Sequence, residues 1–505
     1  MNKQIKAKTQ FKNPTLVGIG QVLDRRKRKN KEVDERKGSP QVGSQEMSVL
    51  CGIGYWVQGF RCFPWLALNF HMTHNLNMHP STLQLVQSSG NLPMVAKPLY
   101  GILSDALYIG GARRIPYICI GVILQIMSWG PLALIPVVGR SLSTVMACVL
   151  LSNFGASITE VAKDALVAEY GKKHKMNGLQ SYALMASAAG GILGNLLGGY
   201  FLMKAPPRTM FLMFTILLSL QLAYTLRTRE ESLGLAPLPD EKLVKISVAE
   251  SIRKQFSDLT MIIREASISR PLAWVVASII LVPSLSGSIF CYQTQCLNLD
   301  PSVIGMSRVM GQLLLLSTTV LYNRCWKKVP MRNLVTAIQT IYAGSVLLDL
   351  ILVKQINLKI GIPNEVFALC FSGLAETIAQ FKLLPFAVLF ARLSPRGSEG
   401  SLTSFLASAL CLSSILSGCL GVGLSLLLGI SSGDYSRLPV GIGVQFLAAL
   451  LPLIWINNLP MSQGISEKEK KRSMSKRTRR NRRVGRVVLG SVYVYRRERE
   501  SEMQR

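Results

Sequence analysis

Long uninterrupted runs of apolar residues are the feature of this sequence that most restricts its fold. A helix needs about 20 apolar residues to cross the ~30 Å hydrocarbon layer of a membrane, and such runs recur from residue 48 to residue 458. Hydrophobic residues make up 49% of the chain, charged residues 17%, and the mean hydropathy is +0.31. The pattern predicts an all-α membrane protein with about twelve transmembrane helices: 48–70, 83–107, 115–138, 142–168, 179–203, 209–226, 272–294, 303–322, 333–353, 363–390, 402–429 and 438–458.

The distribution of Lys and Arg among the loops predicts which side of the membrane each loop faces. If both termini are cytoplasmic, the loops on that side carry nineteen Lys and Arg residues and the opposite loops carry six. Cytoplasmic loops of membrane proteins carry an excess of these residues. The count therefore favours an even number of spans with both ends inside, because eleven spans would place one basic tail outside.

The charged stretch between the sixth and seventh spans predicts a division into two six-helix bundles. We expect a basic N-terminal cytosolic or stromal segment (1–47), a first bundle (48–226), a linker (227–271), a second bundle (272–460) and a basic disordered tail (461–505). Ala168-Glu169 before Gly178 and Ala391-Arg392 before Gly400 form a faint repeat. Runs of small residues at 188–199 and 418–423 permit close helix approach, either as fixed packing or as contacts that move.

The net charge of +30 is concentrated largely in residues 1–47 and in the tail after Pro460. Such a run in a soluble protein would suggest nucleic acid. After a dozen spans, a cytoplasmic tail attracted to anionic headgroups is favoured, so membrane lipids are expected partners and nucleic acid is not. The ten cysteines contain no CxxC pair and are predicted to be small buried apolar residues.

The sharpest local motif lies between the second and third predicted spans. Gly101 and Asp105 close one helix, and Arg113 and Arg114 open the next on the cytoplasmic side. A carboxylate facing arginines can form a charge-assisted latch that breaks when two bundles change access. The spacing resembles the signature loop of the major facilitator superfamily, G-x3-D followed by basic residues. We therefore predict a gating loop, with an ordinary basic turn as the alternative.

Polar and charged side chains inside the spans form the predicted substrate or proton pathway. Such groups are costly in hydrocarbon and should face a partner or a cavity. Glu160 and Asp164, four residues apart, share a helix face. Lys382 precedes Gly400 by the same eighteen residues that separate Glu160 from Gly178, which suits an anionic or zwitterionic substrate or a proton-coupled gate; structural ion pairs are the alternative. The full set is Gln58, Arg61, Lys97, Glu160, Lys163, Asp164, Glu376 and Lys382.

Neither a metal site nor an enzyme site is expected. His71, His74 and His79 form a cluster in the first outer loop, but zinc needs a fourth ligand and none is evident nearby, so a polar loop is favoured. The sequence has no phosphate-cradling glycine loop, no Ser/His/Asp set and no redox motif. We expect no metal, no cofactor and no enzymatic activity.

Several stretches together resemble the folate-biopterin transporter family, a branch of the major facilitator superfamily. The K-P-L-Y-G-x-x-S-D and A-R-L-x-P-x-G runs are more specific than a general facilitator motif. The resemblance implies an alternating-access, proton-coupled carrier of folates or pterins, with cations such as Lys97 or Lys382 serving the glutamate moiety of folate. Because plant members include plastid proteins, it also implies a plastid envelope. The stretches that carry it are Tyr55–Gly59, Leu92–Asp105, Gly111–Arg114, Lys163–Glu169, Gly178–Ser181 and Leu384–Gly397.

Two other interpretations stay open. One is a facilitator-type carrier of another organic solute, because Glu160 stands where the family usually has Asp and Arg61 is unusual. The other is a non-transporting receptor or scaffold whose basic tails recruit partners. The intramembrane charges argue against a scaffold, which has no reason to keep so many costly groups.

Overall fold

The computed structural model describes residues 44–107, 109, 112–174, 176, 178–233, 253, 257, 261, 263–326, 329–393 and 399–459. Residues 1–43, most of the predicted linker and the predicted tail lie outside the described residues. Within them the regular structure is helical, apart from two isolated β-bridges in loops. We call residues 44–233 the first half and residues 263–459 the second half.

The first half runs from a helix broken near its middle to a long helix that ends at the start of the predicted linker. Its helices are α1 (Ser44–Phe60), α2 (Cys62–Phe70), α3 (Pro80–Ser89), α4 (Leu92–Val95), α5 (Lys97–Ala106), α6 (Ile115–Leu134), α7 (Leu142–His174), α8 (Leu179–Lys204) and α9 (Pro207–Arg227).

The second half also begins with a broken span, but its other break lies in a different span from that of the first half. Its helices are α10 (Ala266–Ile280), α11 (Ser286–Cys291), α12 (Pro301–Arg324), α13 (Met331–Val353), α14 (Ile356–Lys359), α15 (Asn364–Phe371), α16 (Leu374–Leu393), α17 (Glu399–Leu428) and α18 (Leu438–Leu450).

Eight helical segments in the described residues are long and apolar enough to cross a membrane. They correspond to predicted spans three to six and eight to eleven. Predicted spans one and two are divided into shorter helices, and spans seven and twelve are represented by the shorter apolar helices Ala266–Ile280 and Leu438–Leu453. The all-helical membrane class is therefore as predicted, whereas segments long and apolar enough to cross a membrane account for eight of the twelve expected spans.

Proline explains the breaks in the first two spans. Arg61 lies in a turn between α1 and α2, where Pro64 has no N–H to offer the carbonyl of Phe60. Pro93 and Pro98 similarly interrupt the second span on either side of the α4–α5 junction. Broken helices leave backbone groups unpaired, and such groups are tolerated at membrane depth only where protein or a cavity covers them.

In the second half the seventh and tenth spans are broken, so the two halves share a break only in their first span. Pro283 lies in the non-helical segment 281–285 between α10 and α11. Gly373, with φ of 85°, separates α15 from α16, and this left-handed conformation is one that glycine adopts without steric cost.

A similar turn joins the first and second spans of each half. The first span ends in a π-helical turn, His71–Asn75 after α2 and Tyr292–Cys296 after α11. Asn77 (φ 44°) and Asn298 (φ 48°) then reverse the chain, and a proline begins the next helix in each half. An internal repeat is thus present at these turns, away from the positions from which the sequence predicted one.

One hydrophobic cluster joins the two halves at the end that carries these repeated turns, which we call the outer end. It includes Phe70 and Met78 from the first half and Phe290, Leu299 and Tyr435 from the second. The rings of Phe70 and Phe290 meet edge to face at 5.4 Å. At the opposite end the second half has its own cluster around Trp274, Met331, Phe386 and Leu402. The halves therefore share a core at the outer end.

The ten cysteines are free thiols, but not all of them are buried. Cys51, Cys119 and Cys291 lie in the interior, as predicted, whereas Cys296, Cys325, Cys370 and Cys419 are exposed. The prediction of burial was wrong for these four, because an apolar position can face away from the protein interior.

Candidate functional site: a charge network at the helix breaks

Glu160 on α7 lies between two cations from the broken first and second spans. Its Oε2 atom is 2.6 Å from Lys97 Nζ, and its Oε1 atom is 3.3 Å from Arg61 Nη1. The exposed fractions of the three side chains are 13% for Arg61, 12% for Glu160 and 21% for Lys97. Little water reaches the cluster, so these charges depend on one another.

The helix breaks bring these charges together. Arg61 is the turn residue between α1 and α2, and Lys97 is the first residue of α5, directly after the break at Ala96. Asn153, seven residues before Glu160 and therefore on the same face of α7, accepts a hydrogen bond from Arg61 Nη2 at 2.6 Å. Asn153 in turn donates to the carbonyl of Gly90 at 2.7 Å.

A second group of contacts joins α1 to the next turn of α7. Lys163, 5% exposed, donates to the Gln58 side chain at 2.9 Å and to the Gly54 carbonyl at 2.7 Å. Gly54 is required there, because a β-carbon would lie 2.9 Å from Lys163 Cδ. Tyr55 donates a hydrogen bond to Asp164, whose side chain is exposed.

The predicted pathway residues of the second half lie apart from this network. Lys382 is 2% exposed, and its ammonium contacts the Ser278 carbonyl at 3.5 Å and the Tyr342 ring, whose centroid is 5.2 Å away. Glu376 is exposed in the first turn of α16. Among the described residues, no hydrogen bond or ion pair joins Glu376 or Lys382 to Glu160.

The arrangement has an excess of positive charge. Three cations and two carboxylates from the predicted set lie together in the first half: Arg61, Lys97, Lys163, Glu160 and Asp164. Asn153 and Tyr55 complete the site, and sequence reasoning did not single them out. Their signal is a polar residue on the same helix face as a predicted intramembrane charge.

The predicted gating loop contains an ion cluster at the end opposite the outer end. Arg114, 4% exposed, donates to Ser104 Oγ at 2.6 Å and to Glu169 at 2.5 Å, and Arg113 lies 3.5 Å from the same carboxylate. Gly101 packs on α7, where a β-carbon would be 3.5 Å from Val161. The side chain of Asp105, the predicted partner of the arginines, lies outside the described residues.

Glu230 anchors this loop and was missed as a site residue. Its carboxylate accepts backbone hydrogen bonds from Arg113 at 2.7 Å, from Arg114, and from Ile115 at 2.7 Å. Glu230 is 7% exposed and follows α9, so the first residues of the predicted linker are packed against the start of α6. The sequence signal was an acidic residue just after a helix that lies next to a basic loop.

The three histidines considered for zinc have local structural partners, and the His74 ring stacks on Phe70 with centroids 5.6 Å apart. His71 Nε2 lies 2.8 Å from the Gly139 carbonyl, and its Nδ1 lies 3.0 Å from Asn75 Nδ2. His79 accepts from the Ser81 backbone at the start of α3. In the described part of the chain, no group of three His, Cys, Asp or Glu residues is arranged to hold a metal ion.

Small residues line the contact between the two halves. A β-carbon on Gly305 of α12 would lie 2.6 Å from the Asn195 carbonyl and 3.0 Å from Gly199 on α8. A β-carbon on Gly418 of α17 would meet Ser88 of α3 at 1.9 Å. Polar contacts accompany this seam at the outer end, including Gln295 donating to the Thr73 carbonyl at 3.1 Å.

Two similar helical halves that meet along a glycine-lined seam, with a charge network inside, define a membrane transporter of the major facilitator type. The model of the BT1 family matches residues 58–480, and the chain belongs to this family. The family and its relatives are transporters, not enzymes.

Relatives and solved structures agree with this assignment. The probable folate-biopterin transporter 8, chloroplastic, of Arabidopsis thaliana is 62% identical, over 93% of this chain and 86% of that protein. The folate-biopterin transporter of a Synechocystis strain is 27% identical, over 80% of each chain. The crystal structure of a D-xylose-proton symporter has the same fold (TM-score 0.59, 13% identity, 83% of this chain and 99% of that one). The chloroplastic relative and the membrane-spanning helices together place the chain in a plastid membrane, as predicted.

Proposed function

We propose that this protein carries folates or pterins across a plastid envelope membrane by alternating access, and that protons drive the movement. The observation that carries the proposal is the Arg61–Glu160–Lys97 network, a cationic cluster built at helix breaks in a chain of the BT1 family. The names of the Arabidopsis and Synechocystis relatives supply the substrate class.

The chemistry of the network suits an anionic substrate. The site has one more cation than carboxylates, so a substrate carboxylate would neutralise it. Folates carry a glutamate moiety with such carboxylates, and a pterin ring offers flat hydrogen-bonding edges to a partly exposed side chain such as Gln58. Mostly apolar sites with a few placed polar groups are typical of small-molecule recognition.

The two carboxylates of the network suit different roles. Glu160 is held between two cations, which favours its ionised form. Asp164 bonds to the neutral hydroxyl of Tyr55, has no cation within salt-bridge distance among the described residues, and has an exposed side chain. We assign Asp164 as the group that takes up and releases the driving proton.

The closed outer end represents one state of the cycle. The halves share a hydrophobic cluster there, and Gln84 of α3 accepts hydrogen bonds from Ser286 at 3.0 Å and from the Gly287 backbone. Alternating access requires this seam to part, because the substrate must reach the Arg61 network from each side in turn.

Transport by the purified full-length chain in liposomes tests the proposal. Radiolabelled folic acid and biopterin are offered with and without an inward proton gradient, and xylose serves as an unrelated solute. We expect folic acid or biopterin to accumulate above protein-free liposomes, and to accumulate more with the gradient. Absence of both fluxes from correctly folded protein would favour the interpretation as a carrier of another organic solute.

A further inference from the structure

Arg308 is an intramembrane cation that sequence reasoning did not single out and that the Arg61 network does not include. It lies seven residues into α12, about 10 Å from the start of the helix at the rise of an α-helix. Its side chain is half-buried. A guanidinium at this depth is costly unless it serves a partner or a ligand.

The neighbours of Arg308 show that it faces the first half. Gly305, Arg308 and Gln312 lie at the helical spacing that places residues on one face of α12. Gly305 packs on Asn195 and Gly199 of α8, and Gln312 packs on Gly191, where a β-carbon would come within 2.9 Å of Gln312 Nε2. This face therefore lies against the seam between the halves, not against lipid.

Cys62 connects Arg308 to the site already described. The Cys62 thiol donates to the carbonyl of Gly191, the residue of α8 on which Gln312 packs, at 3.2 Å. Cys62 directly follows Arg61 in the chain and begins α2. The face of α12 that carries Arg308 thus packs on the same part of α8 as Cys62, which directly follows Arg61 at the helix break.

Arg308 differs from the other cations inside the described spans. Arg61 and Lys97 share Glu160, and Lys163 donates to Gln58 and a carbonyl. Lys382 is 2% exposed and covered by the Tyr342 ring. Among the described residues, no carboxylate lies within 4.0 Å of Arg308. The side chain of the neighbouring Gln312 also has a polar atom without a partner, because its Oε1 atom is buried and forms no hydrogen bond.

We propose that Arg308 binds a carboxylate of the transported substrate, so that the second half supplies the anion contact and the first half supplies the Arg61 network. A guanidinium offers paired N–H donors that match a carboxylate. This inference rests on the proposed function. It also reassigns the role that the family resemblance implied for Lys382, which is too deeply covered to reach the substrate.

Substrates with and without carboxylates test this assignment. Replacing Arg308 with Gln should raise the KM for folic acid about 10- to 100-fold, the loss expected for one charge-assisted hydrogen-bonded contact. The KM for biopterin, which has no carboxylate, should stay within about twofold, and R308K should recover part of the folate affinity. Lys354→Gln, an exposed cation at the end of α13, is the matched control.

If R308Q changed the KM for folic acid and for biopterin equally, or changed neither, the proposed role of Arg308 would be overturned. A wild-type protein that moves neither compound would instead refute the proposed function. In that case the role of Arg308 can still be tested by measuring how much 4-aminobenzoylglutamate raises the unfolding temperature of the purified protein. Stabilisation of the wild type but not of R308Q supports the carboxylate site, and equal stabilisation or none of either protein contradicts it.

Discussion

The pairing of Glu160 with two cations has a consequence at the scale of single residues. Removing one partner of a buried ion pair leaves the other charges without compensation, which typically costs about 3–5 kcal/mol. Glu160→Gln would leave the charges of both Arg61 and Lys97 without a carboxylate partner. Glu160→Asp keeps the charge but shortens the side chain.

We expect Glu160→Gln to reduce the initial rate of folate uptake at least about tenfold and to lower the unfolding temperature, because the loss of the carboxylate leaves Arg61 and Lys97 uncompensated. Glu160→Asp should keep part of the activity. Liposome uptake and thermal unfolding in detergent measure the two effects. Glu365→Gln, which neutralises an exposed acid at the start of α15, should behave as wild type. Wild-type uptake by Glu160→Gln would exclude the network from transport.

Asp164, which we propose as the proton-binding group, is the residue at which a mutation should separate proton coupling from substrate movement. A carrier with Asp164→Asn has no ionisable group there, so an inward proton gradient should no longer drive accumulation. Exchange of folate across the membrane without a gradient should continue. Uptake and counterflow assays at matched protein levels measure these two activities, with Asp300→Asn as an exposed control. Gradient-driven accumulation by Asp164→Asn would place the proton site elsewhere.

At the scale of helices and loops, one carboxylate holds the start of α6. Glu230 satisfies three backbone N–H groups of the gating loop, and helix N-termini favour such negative charge. Buried N–H groups without a partner cost about 1–3 kcal/mol each.

Glu230→Ala should therefore lower the unfolding temperature by several degrees and slow transport, whereas Glu230→Gln, which retains an acceptor, should have a smaller effect. Thermal unfolding of the purified protein and liposome uptake provide the readouts. The adjacent exposed residue offers the control, since Glu231→Ala should leave both unchanged. Equal effects at positions 230 and 231 would contradict the anchoring role.

The helices differ in how well the sequence predicts them. Hydropathy predicts continuous spans such as α6, α7 and α9, because their helices follow the apolar runs. It does not place the breaks at Arg61 and in 281–285, since an apolar run continues through them and the turn depends on prolines and on packing against other helices. The helix α10 also begins at Ala266, before the apolar run, because polar residues can extend a helix beyond the membrane.

The candidate site is predictable as a set of residues but not as a set of contacts. Intramembrane Arg61, Lys97 and Glu160 are recognisable from their cost in hydrocarbon. Which of them pair depends on the rotation and depth of three separate helices, and no local pattern in the sequence specifies these. Glu230 was missed because the backbone groups that it binds lie in a distant segment of the chain. Arg308 lies within predicted span 303–322 and carries the same signal as Arg61, so it could have been recognised from the sequence.

At the scale of the whole molecule, transport depends on whether the two halves can close against each other. Gly305 lies where α12 meets α8, with no room for a β-carbon. Gly305→Ala should hold the seam apart and reduce uptake about tenfold or more, because a methyl group would meet the Asn195 carbonyl. Gly344→Ala on α13, where nothing lies within 4 Å, is the control with the same gain in helix propensity. Uptake normalised to reconstituted protein measures the difference, and equal activity of the two variants would show that the seam tolerates separation.

The repeated turns at His71–Asn75 and Tyr292–Cys296 imply that mutations at corresponding positions of the two halves should have similar effects. Asn77 and Asn298 take the same left-handed conformation at corresponding points of the two halves, so a β-branched residue is equally unsuited to both. If every residue of these turns were substituted, the effect on stability plotted along one turn should match that plotted along the other. Positions where the effects in the two halves diverge would mark where the halves have specialised, and Glu160 and Lys382, which the sequence repeat predicts at matching depth, are the pair to compare.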